Sequence, residues 1–180
     1  MRDWLVLMTS FMGLLLFSCG AEPTDEPTNQ RTNFFDLRTY ITTQVDSLTA
    51  AQPTVTKRVV LNKTEEERVM DDVNFAADLR AFREADINKP AWADKYRTVE
   101  RGGAWLYEAL DSSLQTRRLL VQLIDGVPVQ IDVWRKTGTL LSNGTQKLTY
   151  RPASGYTIDT EQVNRFGDDV SASVSVYWKE

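Results

Sequence analysis

The chain has 180 residues and a net charge of −4, and it contains no His and a single Cys. This length suits one domain. The lack of His excludes a Ser-His-Asp or Cys-His nucleophile system and an imidazole metal site. One Cys forms neither an intrachain disulfide nor a zinc–thiolate cluster. The acidic balance argues against a nucleic-acid partner, because binding phosphates needs a basic surface.

Residues 1–18 are predicted to be a signal peptide. Residues 4–17 form a largely apolar run after Arg2, shorter than the roughly 20 apolar residues that a membrane-spanning helix needs. The run ends in Leu16-Phe17-Ser18-Cys19, which resembles a bacterial lipobox. This resemblance implies cleavage before Cys19, acylation of its sulfur with chains such as palmitate, and a membrane partner reached through that lipid anchor.

Residues 19–32 are predicted to be the lipidated Cys followed by a flexible acidic tether. The segment is polar, contains two prolines and has no apolar periodicity, so it buries too little surface to offset chain entropy. Gly20, rather than Asp, follows the Cys, and by resemblance to Gram-negative lipoprotein sorting this favours the outer membrane. Glu22, Asp25 and Glu26 loosely resemble a Bacteroidota surface-export signal, with a solvated spacer as the alternative. The periplasmic or surface-exposed side therefore stays open.

Residues 33–180 are predicted to form a single domain that opens with a helix over residues 33–51. Its apolar stripe steps by three or four residues along Phe34, Leu37, Ile41, Val45 and Leu48, the spacing of one helix face. Asn33 is the predicted N-cap. Pro53 ends the helix because it cannot continue the hydrogen-bonding pattern.

Two strands and a second helix are predicted next. Residues 54–61 are rich in β-branched side chains, and residues 65–70 read as a charged return strand whose charges block unwanted strand pairing. The second helix is predicted over residues 72–85, capped by Asp71 or Asp72.

From Tyr96 onward the pattern is that of strands. Alternating side chains predict strands near residues 95–100, 104–111, 117–124, 127–136, 145–151, 156–164 and 170–178. Turns are predicted at Arg101-Gly102-Gly103, Asp125-Gly126, Asn143-Gly144, Ser154-Gly155 and Gly167-Asp168-Asp169. No helix separates these strands, so they are expected to pair antiparallel. The predicted fold class is α+β, with a curved antiparallel meander of about seven to nine strands packed by the two helices.

One strand differs from the others in its pattern. Residues 117–124 are apolar on both faces, which predicts either a central strand covered on both sides or one that lines an inner groove.

Three aromatic residues are candidate ligand-binding side chains. Trp134 shares the polar face of its strand with Gln130 and Asp132, and Tyr177 shares a strand face with serines. Trp92 lies in the loop after the second helix. Aromatic rings on a polar sheet face are suited to stack on a sugar or to hold an apolar ligand or peptide. The alternative is that these rings belong to the core.

Catalytic chemistry without His would depend on paired carboxylates. The adjacent pairs are Asp71-Asp72, at a predicted helix start, and Asp168-Asp169, in a predicted turn. Capping and turn formation explain both pairs. Neither the spaced ligands of a calcium loop nor a phosphate-binding glycine loop is present. We therefore predict no catalytic residue, no metal site and no cofactor.

Three segments carry a resemblance to a known group of proteins. They are Asn33-Phe34-Phe35-Asp36-Leu37, Pro53-Thr54-Val55-Thr56-Lys57 and Asp86-Ile87-Asn88-Lys89-Pro90-Ala91-Trp92. Together with the lipobox, they resemble uncharacterised Bacteroidota outer-membrane lipoproteins, which implies a location and an architecture but no activity. The order of helix and meander also resembles, more loosely, the outer-membrane lipoprotein-sorting fold, in which a curved sheet lined with helices shelters acyl chains.

These observations favour a non-enzymatic lipoprotein of the bacterial outer membrane with a binding or structural role. One alternative is a lipid or lipoprotein carrier that uses a concave surface around Leu119–Ile124. The other is a carbohydrate-binding accessory lipoprotein that uses Trp134 and Tyr177. The expected partner beyond the membrane is an envelope protein, a lipid or a glycan.

Overall fold

A computed structural model describes residues 34–139 and 141–178. The predicted signal peptide, Cys19 and the predicted tether lie outside the described residues. The helical elements are α1 Leu37–Ala51, α2 Phe75–Asp78, α3 Arg80–Glu84 and a 3-10 turn at Pro90–Trp92. The strands are β1 Val55–Leu61, β2 Thr64–Met70, β3 Tyr96–Arg101, β4 Ala104–Ala109, β5 Thr116–Ile124, β6 Val127–Thr139, β7 Ser142–Arg151, β8 Gly155–Asn164 and β9 Val170–Trp178.

The strands form a single antiparallel sheet, which confirms the predicted α+β class with a curved antiparallel sheet. The spatial order is β2-β1-β9-β8-β7-β6-β5-β4-β3. Strands β3 to β9 are a meander, in which each strand pairs with the next one along the chain. The β1–β2 hairpin joins this meander at β9, where Val55 lies opposite Trp178. The sheet is open, with β2 and β3 at its two edges.

The helices pack against one side of the sheet, which we call the covered face. The buried α1 residues are Leu37, Ile41 and Val45, three members of the predicted stripe. Below them lie the fully buried sheet residues Leu119, Val121, Ile131, Val133, Leu148 and Val176. The core of the domain is therefore the layer between α1–α3 and the covered face.

Buried tyrosines connect the sheet to the helices. The Tyr156 hydroxyl donates to Asp78 Oδ2 at 2.6 Å and the Tyr150 hydroxyl donates to Gln44 Oε1 at 3.0 Å. Burial raises the pKa of both hydroxyls, so they stay protonated and act as donors. Each hydrogen bond satisfies a polar group that would be costly to bury alone.

The helix caps differ from those predicted. Asp36 caps α1, because its carboxylate accepts a first-turn backbone N–H at 3.0 Å; the predicted Asn33 lies outside the described residues. Asn74 caps α2 in the same way, so the prediction of Asp71 or Asp72 was wrong. The predicted second helix also divides into α2 and α3. A cap is selected by backbone geometry, which the periodicity of the sequence does not specify.

The predicted turn at Asn143-Gly144 was also wrong, because both residues lie inside β7. Gly144 pairs with Thr137 of β6. A Cβ at Gly144 would collide with the Thr137 side chain and lie 3.2 Å from the Glu161 carbonyl oxygen. The glycine therefore permits a close approach of neighbouring strands.

Asp86 is a buried carboxyl beside the start of α1. Its side chain is 4% exposed, and its Oδ1 has no hydrogen-bond partner among the described residues. Burial raises the pKa of Asp86, while hydrogen bonds from the backbone N–H groups of Arg38 and Asn88 oppose this shift.

We expect Asp86 to make the stability of the protein depend on pH. Because its pKa is raised in the folded state, the folded protein keeps this proton at pH values where the unfolded chain has lost it. The contribution of Asp86 to the free energy of unfolding is therefore full below about pH 4, the unfolded pKa, and is lost as pH rises through the folded pKa. Denaturant unfolding of the wild type and Asp86→Asn across this range measures the difference. Parallel stability curves, or a wild type that gains on the variant as pH rises, would contradict this assignment.

Candidate functional site

The other side of the sheet, which we call the open face, carries mainly polar side chains. The strand register places the apolar Val99, Leu106 and Leu120 on it, together with Arg97, Glu108, Arg118, Asp132, Trp134, Lys147, Thr149, Thr157, Asp159, Ser173, Ser175 and Tyr177. None of the described helices packs against these residues. The open face is therefore the large surface of the domain that the core does not use.

Trp134 stands at the centre of this face, on β6, between two cations. Arg118 of β5 and Lys147 of β7 are its direct cross-strand neighbours. The Arg118 Cζ lies 5.1 Å and the Lys147 Nζ lies 5.9 Å from the centroid of the Trp134 ring. Both distances permit cation–π attraction, which holds the two charges beside the ring.

An ion-pair chain continues from Arg118 toward the β3 edge. Glu108 of β4 lies 4.0 Å from the Arg118 Nε and 2.5 Å from the Arg97 Nη2. These two cations lower the pKa of Glu108, the hydrogen bond from Arg97 having the largest effect. Arg97, Glu108, Arg118, Trp134 and Lys147 thus form one continuous row across five strands.

A hydrogen-bond network lies beside this row. Asp132 is 5% exposed; it accepts from the Thr149 hydroxyl at 2.8 Å and from the Gln130 amide at 2.6 Å. Gln130 in turn accepts from the Arg151 Nε at 2.9 Å. The network links Gln130 and Asp132 of β6 to Thr149 and Arg151 of β7.

Short hydroxyl side chains fill the face beyond this network. The Ser173 hydroxyl donates to Asp159 Oδ1 at 2.6 Å, and the hydroxyls of Thr157 and Ser175 lie 3.3 Å apart. These side chains are short, so they project less far from the sheet than the long side chains around Trp134.

The three predicted aromatic residues do not come together. Trp134 and Tyr177 both lie on the open face, but three strand spacings separate β6 from β9, about 14 Å. Tyr177 is 48% exposed and lies opposite Gly155. Trp92 packs on the helix side, 6.3 Å from the Tyr96 ring and under the Lys89 ammonium at 3.9 Å.

The two acidic pairs lie in the β8–β9 turn and in the segment before α2. Asp169 accepts the backbone N–H of Asn164 at 3.0 Å, which closes the β8–β9 turn. Asp71 and Asp72 are exposed and precede the cap of α2. Across residues 34–139 and 141–178, no group of three or more His, Cys, Asp or Glu side chains is arranged to hold a metal ion.

The covered face is occupied by the helices of the domain. Leu119 and Val121 of β5 are fully buried there, so these two residues of the surface proposed for a lipid carrier are packed under the helices. Ile124, at the end of the same strand, is exposed. A cleft of about 390 Å³ opens between β3, β4 and the segment before α1. It is lined by Phe34, Phe35, Thr98, Glu100, Trp105 and Tyr107.

Comparison with protein-family models, curated proteins and solved structures finds no match. The resemblance to Bacteroidota lipoproteins stays a prediction from the quoted residues. In the part of the chain that the structure describes, no helix is long and apolar enough to cross a bilayer.

The sequence interpretation missed the cations around Trp134. It placed Trp134 on the correct strand and on a polar face, but it did not identify Arg118 or Lys147 as neighbours. The missing information was the strand register, since Arg118 lies opposite Trp134 only because the β5–β6 register shifts between Gln122 and Leu123. The Arg117-Arg118 pair in an otherwise apolar strand was the available sequence cue.

Proposed function

We propose that this protein is a lipid-anchored lipoprotein of the bacterial outer membrane whose domain is a non-enzymatic binding module. The anchor is the Cys19 sulfur, and the binding surface is the open face. The observation that carries the binding role is the arrangement of Arg118 and Lys147 against Trp134 on a sheet face that is not needed for the core.

Two further features support a binding role over an enzymatic one. The acidic pairs that the sequence offered for catalysis serve a turn and precede a helix cap, as described above. Arg118 is held by its ion pair with Glu108, and Asp132, on the same strand face as Trp134, accepts hydrogen bonds from Thr149 and Gln130. Preorganised polar groups on a rigid sheet are suited to recognition.

Among the alternatives, carbohydrate binding has more support than lipid carriage. Trp134 and its polar neighbours are on the open face, whereas the β5 residues of the proposed lipid surface are packed under the helices. A carrier would have to displace α1–α3 from the covered face before it could shelter an acyl chain.

The anchor is tested by metabolic labelling with palmitate in the cell that makes the protein. We expect the parent chain to be labelled and to fractionate with the outer membrane. Cys19→Ser should lose the label entirely and leave the outer-membrane fraction, because the acyl chains supply the anchorage there. Ser18→Ala is the matched control, since it keeps a small residue before the Cys and should retain the label.

Equal labelling of the parent and Cys19→Ser would contradict the anchor. The non-enzymatic part would be contradicted by turnover of a panel of esters, glycosides and peptides that is lost in Asp168→Asn or Asp71→Asn.

A further inference from the structure

We propose that the open face binds an anionic polysaccharide, with Arg118 and Lys147 beside Trp134 as the main contacts and Arg151 nearby. This inference rests on the proposed use of the open face for binding, and it names the class of ligand.

The two halves of the sheet carry opposite charge. Residues 89–151, which include β3 to β7, contain ten Lys or Arg against six Asp or Glu. Residues 55–74 and 155–178, which include the other four strands, contain five against nine. These counts include both faces of the sheet; on the open face itself, this half carries Arg97, Arg118, Lys147 and Arg151 against Glu108 and Asp132, and the whole Trp134 row lies within it. Such a surface attracts an anion to one half of the face and repels it from the other.

The cations of this row recur at a regular interval. Arg97, Arg118 and Lys147 lie on β3, β5 and β7 in a single cross-strand row. Alternate strands are about 9 to 10 Å apart. A polymer with one negative charge in each repeating unit fits such a row better than a single small anion does, because several weak contacts then act together.

Two cations already lie beside the Trp134 ring. The class of ligand expected there is therefore different from that expected at a free aromatic ring. A neutral sugar would bind by stacking on a free aromatic surface. Here Arg118 and Lys147 lie against the ring, so the ring reduces the freedom of two positive side chains. That arrangement favours a carboxylated or sulfated sugar, whose charge can interact with both groups.

The surroundings favour a glycan over an acidic peptide. The strands around Trp134 are paired on both sides, so they cannot accept an added peptide strand, a mode that needs a free sheet edge. A ligand on this face must be held by side chains. Glu108 and Trp134 flank Arg118, and Trp134 and Asp159 flank Lys147. Further along the face lie the hydroxyls of Thr149 and Thr157 and the amide of Gln130, which are partners suited to sugar hydroxyls.

The test measures polymer binding by the full lipoprotein in detergent. Polygalacturonate is the anionic glycan, dextran the neutral glycan and poly-glutamate the acidic peptide. We expect polygalacturonate to bind and to be released by salt, because exposed charges are screened. Arg118→Gln/Lys147→Gln should bind it about tenfold more weakly, since two charged contacts are lost. Lys63→Gln/Arg68→Gln removes the same charge from the acidic half and should bind like the parent.

Several results would overturn the proposal. They are the absence of polygalacturonate binding, equal loss in both double variants, and binding of dextran or poly-glutamate as tight as that of polygalacturonate. Arg118→Lys/Lys147→Arg, which keeps both charges, should retain binding and separates loss of charge from loss of folding. Failure here with intact palmitate labelling at Cys19 would reject the ligand class and leave the anchor standing.

Discussion

Gly155→Ala should destabilise the domain by about 3 kcal/mol or more, comparable to severe overpacking of a core. Gly155 begins β8 with φ at +144°, a backbone conformation that side chains with a Cβ rarely adopt. A Cβ there would overlap the Val176 carbonyl oxygen and lie 3.0 Å from the Tyr177 Cα. The contacting atoms are backbone, so relief requires β8 and β9 to separate. Denaturant unfolding measures the loss.

The matched control for this substitution is Gly102→Ala. Gly102 also has a positive φ, at +58°, but a Cβ there would meet no atom within 4 Å. It should cost only about 1 kcal/mol, the conformational penalty alone. Equal losses in the two variants would mean that the contact with β9 does not matter. Tyr177 is the residue that pairs with Gly155 across the β8–β9 ladder. An aromatic residue across from a strand glycine is a known way to support such a site.

Hydrophobic periodicity predicted the helices and strands of this fold well, because the apolar spacing of a helix face differs physically from the alternation of a strand. The β9 alternation that predicts residues 170–178 matches the strand Val170–Trp178, since one face must meet the helices. The stripe through Leu37 and Ile41 predicted α1 for the same reason. Such patterns record which side of an element is buried.

Local signals failed where tertiary structure decides their use. Asn143-Gly144 has the composition of a hairpin turn, yet Gly144 serves as a contact point between strands. The candidate site was only half predictable for a related reason. Alternation placed Trp134 on the open face, but the partners Arg118 and Lys147 depend on the strand register and on its shift between Gln122 and Leu123. Both are properties of pairing between segments, which no single segment contains.

Phe82→Ala should cost about 3 to 5 kcal/mol, the usual range for removing a fully buried aromatic side chain. The Phe82 side chain is 0% exposed, and its ring makes edge contacts with Tyr150 at 5.9 Å and Tyr156 at 6.5 Å. Helix α3 has only five residues, so it is not stable without its tertiary contacts. The Arg135 Nη1, which donates to the Ala81 carbonyl at 2.9 Å, holds the same helix but does not fill the space. Chemical denaturation of the variant measures the cost.

Phe166→Ala is the control for Phe82→Ala because it makes the same chemical change at a side chain that is 77% exposed. It should change the free energy of unfolding by less than about 0.5 kcal/mol. The pair also tests whether the covered face serves stability while the open face serves binding. If the helix layer is a scaffold, Phe82→Ala should lose stability while the protein that remains folded binds polygalacturonate as the parent does. A loss of binding equal to that in Arg118→Gln/Lys147→Gln would instead place part of the binding surface on the covered face.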